Sequence, residues 1–226
     1  MPVYKKVNKN FFKKWTPEMA YVLGFFAADG YITVNKRGGQ FWCVQITDKK
    51  LLESIKKAIE SDHKISTRVR IKISEKTQYR LQIGSIEMCD DLRKLGFSER
   101  KTRSLVVPNV LNKYFPSFIR GYFDGDGNVW IGYSHKKTKK SNLVLQTMFT
   151  SCSLEFLTHL HKRITSLGIS GGSIYTSKKD YSRLQFSTLD SLKLSDFMYN
   201  DKIKDFKGLC LGRKRKVFEK FKKMRS

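Results

Sequence analysis

Val22-Leu23-Gly24-Phe25-Phe26-Ala27-Ala28-Asp29-Gly30 returns later in the chain as Ile119-Arg120-Gly121-Tyr122-Phe123-Asp124-Gly125-Asp126-Gly127. Each copy is largely apolar, has glycine in its third place and ends in Asp-Gly. The copies lie 97 positions apart, from Asp29 to Asp126. That spacing predicts two copies of one unit of about 100 residues, a size suited to a half-domain or small domain. It also supplies two carboxylates in equivalent places, as a symmetric metal-dependent reaction requires.

At 226 residues the chain is long enough to bury a core. Its 40% hydrophobic content, with 16 Phe and 10 Tyr, argues against disorder. The formal charge of +25 favours a polyanionic partner: DNA, RNA or an anionic surface. A plain solubility surface is the blander reading, but here the charge sits in patterned strands. Cys43, Cys89, Cys152 and Cys210 form no C-x-x-C pair, and His159 and His161 point to different faces of a helix. A zinc site is therefore not expected, and the thiols read as reduced. No apolar run reaches about 20 residues, so no membrane helix is expected. Met1 to Trp15 lacks the apolar core of a secretory signal. The expected setting is intracellular: bacterial or archaeal cytoplasm, or an organelle matrix.

Around the repeats the periodicities alternate. Thr16-Pro17-Glu18 starts a helix that should run to about Ala28 and stop at Gly30. Strands are expected over Tyr31–Asn35, with Ile32 and Val34 on one face, and over Gln40–Thr47. Leu51, Leu52, Ile55, Ala58 and Ile59 form a helical stripe. Next comes a hairpin. Val69, Ile71 and Ile73 oppose Arg68, Arg70 and Lys72, and Tyr79, Leu81 and Ile83 oppose Gln78, Arg80 and Gln82. A helix from about Ser85 to Leu95 carries Cys89, Leu92 and Leu95. Phe97–Phe115 reads as a connector between a first half, 1–96, and a second, 116–226.

The second half repeats the order. A helix over Pro116–Gly125 precedes strands over Asn128–Tyr133 and Leu143–Thr150. A helix over Ser153–Leu167, a hairpin over Ser173–Ser187 and a helix over Ser191–Tyr199 follow. Arg213–Arg225 is a final basic helix with Val217 and Phe221 as a pair. The class is α+β, with helix–strand–strand–helix–strand–strand–helix written twice.

Small residues recur every four positions on both repeat helices: Ala20, Gly24 and Ala28 on one, Ser117, Gly121 and Gly125 on the other. Each helix thus has a smooth stripe, and two stripes allow close backbone packing. An interior helical glycine costs about 1 kcal/mol against alanine, a cost that makes sense where two backbones touch. Such packing brings Asp29 and Asp126 together at helix C-termini, where the macrodipole and mutual repulsion both disfavour them. A hard cation such as magnesium offsets this.

These two segments resemble the signature of the LAGLIDADG homing endonucleases, in the monomeric two-repeat form. The resemblance implies pseudo-symmetric αββαββα halves joined through the signature helices, with two four-stranded antiparallel sheets forming a saddle over double-stranded DNA. It implies cleavage of both strands of a long, asymmetric target across the minor groove, leaving short 3′ overhangs. Asp29 and Asp126 become metal-binding catalytic acids, completed by the carbonyls of Ala28 and Gly125. The implied cofactor is magnesium, with manganese as substitute and calcium binding without supporting cleavage. Asp48 takes the place of the polar residue that orders active-site water, with Ser153 as its weaker counterpart. Lys101 and Lys214 become the basic catalytic residues, Arg213 competing with Lys214. The first signature departs from the family pattern at Ala27, where the second keeps Asp124.

Basic and amide-rich strand faces suit the major groove, where Arg–guanine and Gln–adenine pairs are favoured. The expected base-reading residues are Gln45, Arg68, Arg70, Gln78, Arg80 and Gln82 in the first half. In the second they are Asn128, Trp130, Gln146, Arg183 and Gln185. Lys72, Lys136, Lys137, Lys139 and Lys140 suit phosphates. Two rival readings remain: a maturase that binds intron RNA, favoured less because both acids are intact, and a non-cleaving DNA-binding regulator.

Overall fold

The computed structural model describes residues 5–68, 76–134, 142–177, 180–200 and 208–225. Each half opens with its signature helix, α1 (Pro17–Asp29) or α5 (Phe115–Asp126). Thr16 caps α1 by accepting a hydrogen bond from the Met19 amide, and Pro17 fits the first turn. Strands β1 (Gly30–Val34) and β2 (Gln40–Ile46) follow. Next come α2 (Lys49–Ala58), β3 (Ile65–Arg68), β4 (Gln78–Gly84) and α3 (Ile86–Lys94). The connector holds a short α4 (Lys101–Ser104) and a 3₁₀ turn at Asn112–Tyr114. After α5 come β5 (Gly127–Tyr133), β6 (Leu143–Ser151), α6 (Leu154–Thr165), β7 (Ser173–Thr176), β8 (Ser182–Phe186), α7 (Thr188–Tyr199) and α8 (Gly212–Arg225). The fold is α+β, with two four-stranded antiparallel sheets ordered β1-β2-β4-β3 and β5-β6-β8-β7.

The central packing is helix on helix. From Met19 to Ala27 every residue of α1 is buried, as befits a helix with no solvent face. A Cβ on Gly24 would collide with the Phe118 carbonyl oxygen, and one on Gly121 with the Tyr21 carbonyl oxygen and the Phe25 nitrogen. The two backbones therefore touch along the small-residue stripes. Around them the sheets' inner faces close the core. Trp42, Val44, Leu81 and Ile83 lie in the first half, and Leu145, Phe149, Leu184 and Phe186 in the second.

Several boundaries shift from the sequence expectation. Both repeat helices include the Asp, and the following glycine begins a strand. Gly30 and Gly127 have φ of −92° and −91°, so neither is a left-handed cap. Glycine stands there because a Cβ would enter the Phe26 or Phe123 ring. Val34 is exposed although Ile32 is buried, since it leads into the hairpin turn. Leu95 and Leu167 are only half-buried, being past the ends of α3 and α6, and Met88 and Phe156 take the core positions. α7 starts at Thr188 rather than Ser191. On α8 the buried aromatic partner of Phe221 is Phe218, while Val217 is half-buried. Val69, Ile71 and Ile73 lie outside the described residues.

Candidate active site and nucleic-acid interface

The site forms where α1 and α5 end side by side. A Cβ on Gly125 would meet the Ala28 Cβ and lie 3.1 Å from Asp29 Oδ2, so the Asp29 carboxylate sits against the last turn of α5. Asp29 is half-buried and Asp126 more open to solvent. Burial, and then repulsion from Asp126, pushes the Asp29 carboxyl up to about 6, against the pull of Lys214 and Lys101. Asp126 is also raised, by burial, and opposed by the same lysines.

One buried lysine flanks each helix end. Lys101 on α4 is 7% exposed, and its Nζ donates to the Ala27 carbonyl at 2.6 Å. Lys214 in the first turn of α8 is 6% exposed. Its Nζ donates to the carbonyls of Phe123 at 2.6 Å and Asp124 at 2.9 Å, lies 3.4 Å from that of Gly125, and also meets that of Gly127. Ala27 and Asp124 are equivalent positions of the two repeats. The rings matching them are equivalent as well: Lys101 lies over Phe26 and Lys214 over Phe123. These carbonyls belong to helix C-termini, whose partial negative charge suits a cation. Burial brings both lysines down to about 8; Asp29 and Asp126 oppose that fall at each, and at Lys214 the Asp124 carboxylate opposes it most. Arg213 is exposed, so the geometry favours Lys214 over it.

Asp48 caps α2, its Oδ1 accepting from the Leu51 amide at 3.0 Å. Ser153 caps α6 in the same way, accepting from the Phe156 amide at 3.1 Å, but its hydroxyl proton goes to the Leu105 carbonyl at 2.7 Å. The two caps are topologically equivalent and chemically unequal. Ser153 is buried with its one proton spent, whereas Asp48 keeps a second carboxylate oxygen.

Among the described residues no group of three or more His, Cys, Asp or Glu side chains converges. A metal at the helix ends must therefore add main-chain, water or phosphate oxygens to Asp29 and Asp126. That all-oxygen set fits a hard divalent cation and not zinc.

The outer faces follow from strand register, because directly paired residues share a face. Gln45 pairs with Arg80, Cys43 with Gln82 and Arg68 with Gln78. The Gln45 and Gln78 side chains are hydrogen-bonded to each other. In the second sheet Trp130 pairs with Gln146, and Asn128 and Gln185 both pair with Met148. Arg183 pairs with Thr150 and lies 5.0 Å over the Tyr181 ring. Trp130 is 42% exposed, a large aromatic left open to a partner. The expected residues that are described thus fall on one face of each sheet, opposite the core. Arg70, Lys72, Lys136, Lys137, Lys139 and Lys140 lie outside the described residues.

Sequence reading passed over other members of these faces: Tyr31, Thr33 and Ser66 on one sheet, Met148, Thr150 and Tyr175 on the other. The signal was present: placing Ile32 inward sends Tyr31 and Thr33 outward.

The cysteines are all free thiols, Cys43 and Cys89 buried, Cys210 half-buried and Cys152 exposed. No helix among the described residues is long and apolar enough to cross a membrane.

Comparison with known proteins agrees with the architecture. Residues 16–96 match the family model of the LAGLIDADG-like domain. An uncharacterized protein of Methanocaldococcus jannaschii is 25% identical over 186 residues, covering 79% of this chain, which spans 64% of that protein's length. The I-SmaMI LAGLIDADG homing endonuclease bound to cleaved DNA aligns with a TM-score of 0.59 at 18% identity, over 93% of this chain and 88% of that one. The LAGLIDADG meganuclease I-AabMI bound to uncleaved DNA gives 0.59 at 19%, over 93% and 90%. I-SmaMI bound to an uncleaved DNA target with calcium ions gives 0.54 at 18%, over 86% and 87%. Residues 16–96 thus form a LAGLIDADG-like domain, and the whole chain takes the fold of the two-repeat LAGLIDADG homing endonucleases.

Proposed function

We propose that this protein is a site-specific DNA endonuclease that makes a double-strand break with short 3′ overhangs in a long, asymmetric target. The observation that carries the reading is the pairing of Asp29 and Asp126 at touching helix ends, each end flanked by a buried lysine. Supporting it are two polar sheet faces on a chain of charge +25, and the two solved relatives with this fold that are bound to DNA. The halves, 1–96 and 116–226, act as one monomer joined by 97–115, inside whichever intracellular compartment holds the target.

Asp29 and Asp126, with the carbonyls of Ala28 and Gly125, hold the divalent ion, magnesium in this reading. When bound, it supplies Lewis-acid assistance to attack by water and departure of the 3′ oxygen. The chain's own residues do the rest. Lys101 and Lys214 keep fixed positive charge beside the scissile phosphates, already oriented by helix-end carbonyls, so little reorganisation is needed as charge develops. The free oxygen of Asp48 orders water in the first half. Arg68, Arg80 and Arg183 read bases alongside the paired amides, and unequal faces on the two sheets make the target asymmetric.

The test is incubation of a randomised duplex library with magnesium or with calcium. Discrete cutting with 3′ overhangs in magnesium, and binding without cutting in calcium, is the expected result. Affinity for folded intron RNA with no cutting of any duplex would overturn the reading in favour of a maturase.

A further inference from the structure

Asp124 is an acid the proposed chemistry does not use, and it lies deep in the protein at 1% exposure. Its Oδ2 accepts two hydrogen bonds: from the Tyr21 hydroxyl of the opposite signature helix at 2.7 Å, and from the Leu211 amide at 2.8 Å. Leu211 in turn caps α8. Its carbonyl accepts from the amide of Lys214 at 2.9 Å and from that of Arg215 at 3.4 Å. Arg120, one turn before Asp124, secures the same approach by donating to the carbonyls of Leu209 at 3.2 Å and Met198 at 2.9 Å. The carboxylate is thus two bonds from the turn that carries Lys214.

The repeat relation shows that this tether exists once. Shifting by 97 positions turns Tyr21 into Phe118 and Asp124 into Ala27. The hydroxyl and the carboxylate are replaced together by a ring without a hydroxyl and a methyl group. Lys101 is therefore placed without any such tether, although its ammonium makes the equivalent main-chain bond.

We propose that Asp124 is a positioning residue for Lys214, acting through the Leu211 amide, and that it makes the two halves of the cleavage site unequal. The inference rests on the endonuclease reading above. A lysine displaced by about 1 Å loses up to roughly 100-fold in rate at the phosphate it serves. Removal of the tether therefore slows one strand and spares the other.

The experiment uses the full chain and the duplex recovered from the library, labelled on each strand in turn. Asp124→Ala should slow cleavage of one strand by roughly 10-fold or more, so that nicked duplex accumulates, with DNA affinity unchanged. Asp124→Asn, which keeps an acceptor for Leu211, should restore balanced cutting. Tyr21→Phe, which leaves the Leu211 bond in place, should cut both strands near the wild-type ratio. Where Asp124→Ala does not fold, Asp124→Ser serves instead, since its shorter side chain fills part of the space but stops short of the Leu211 amide. Amide hydrogen exchange across 209–214 supplies a readout without DNA and should quicken in the Ala or Ser variant only. Equal slowing of both strands, or unchanged exchange at Leu211, overturns the tether while leaving the endonuclease reading intact. A wild-type chain that cuts neither strand overturns both.

Discussion

Lys101 and Lys214 are cations placed almost out of reach of water, and their placement sets how the protein responds to alkali. In the fold each sits at about 8 because burial disfavours its charge. In the unfolded chain a lysine sits near 10.4. Below about 8 both states are protonated, and the cost of the buried charge is fully present. Between about 8 and 10 the unfolded chain binds more protons at these two sites, so the lysines' contribution to stability rises with pH across that window, opposed toward its upper end by the thiols of Cys89 and Cys210, whose pKa values burial raises. The metal-free protein should gain about 1–3 kcal/mol per lysine there. Lys101→Met should flatten the rise in chemical denaturation series at pH 7.5 to 10, and curves parallel to wild type would contradict the placement. Which residues were legible beforehand follows from chemistry. Asp29, Asp126 and Lys101 stand in recognisable local patterns, and the structure groups them. Lys214 was separated from Arg213 only by its burial and its main-chain partners. The role of Asp124 was not legible, because its partners Tyr21 and Leu211 lie 103 and 87 positions away.

At the scale of elements, the contact between α1 and α5 governs the rest, since it fixes the helix ends that hold the acids. Gly24→Ala or Gly121→Ala inserts a methyl group against a backbone carbonyl that has no rotamer to yield. Each should cost about 3 kcal/mol by forced separation of the helices. Gly212→Ala, with nothing within 4 Å of its Cβ, is the control and should be neutral or stabilising by about 0.5–1 kcal/mol. Equal thermal shifts for Gly24→Ala and Gly212→Ala would contradict close packing. The small-residue stripes made this contact readable from sequence, because two glycines four places from other small residues have few other uses inside a helix. Strands were readable from alternation wherever one face was covered, as at Leu81 and Ile83, with Tyr79 half-buried beside them. Element ends were less so. Gly30 and Gly127 looked like helix stops, yet they are extended residues chosen for the rings packed upon them. The start of α7 was missed because Thr188-Leu189-Asp190 exposes its leucine and shows no apolar period.

For the whole molecule, charge and duplication act together. On the proposed reading, a formal charge of +25 over two similar halves gives a field suited to drawing in a duplex and holding it largely by its phosphates. With six to ten phosphate contacts, affinity should fall by roughly 10³-fold or more between 50 and 200 mM salt. Fluorescence anisotropy of a labelled duplex across that range checks it, and a flat response would contradict phosphate-driven binding. The two-repeat plan was legible because the signature is written twice at one spacing. The departures from symmetry were not, since they arise from tertiary partners: Ser153 spends its proton on Leu105 where Asp48 keeps an oxygen, and Asp124 is tethered where Ala27 is not. The measurement that tests the central claim most directly is cleavage and binding of the recovered duplex by Asp29→Asn and Asp126→Asn, side by side with wild type. Each substitution keeps the shape and removes one of the paired charges. The account predicts that double-strand breaks disappear in both variants while duplex affinity stays within a few-fold of wild type. Full double-strand cleavage by either variant would contradict it.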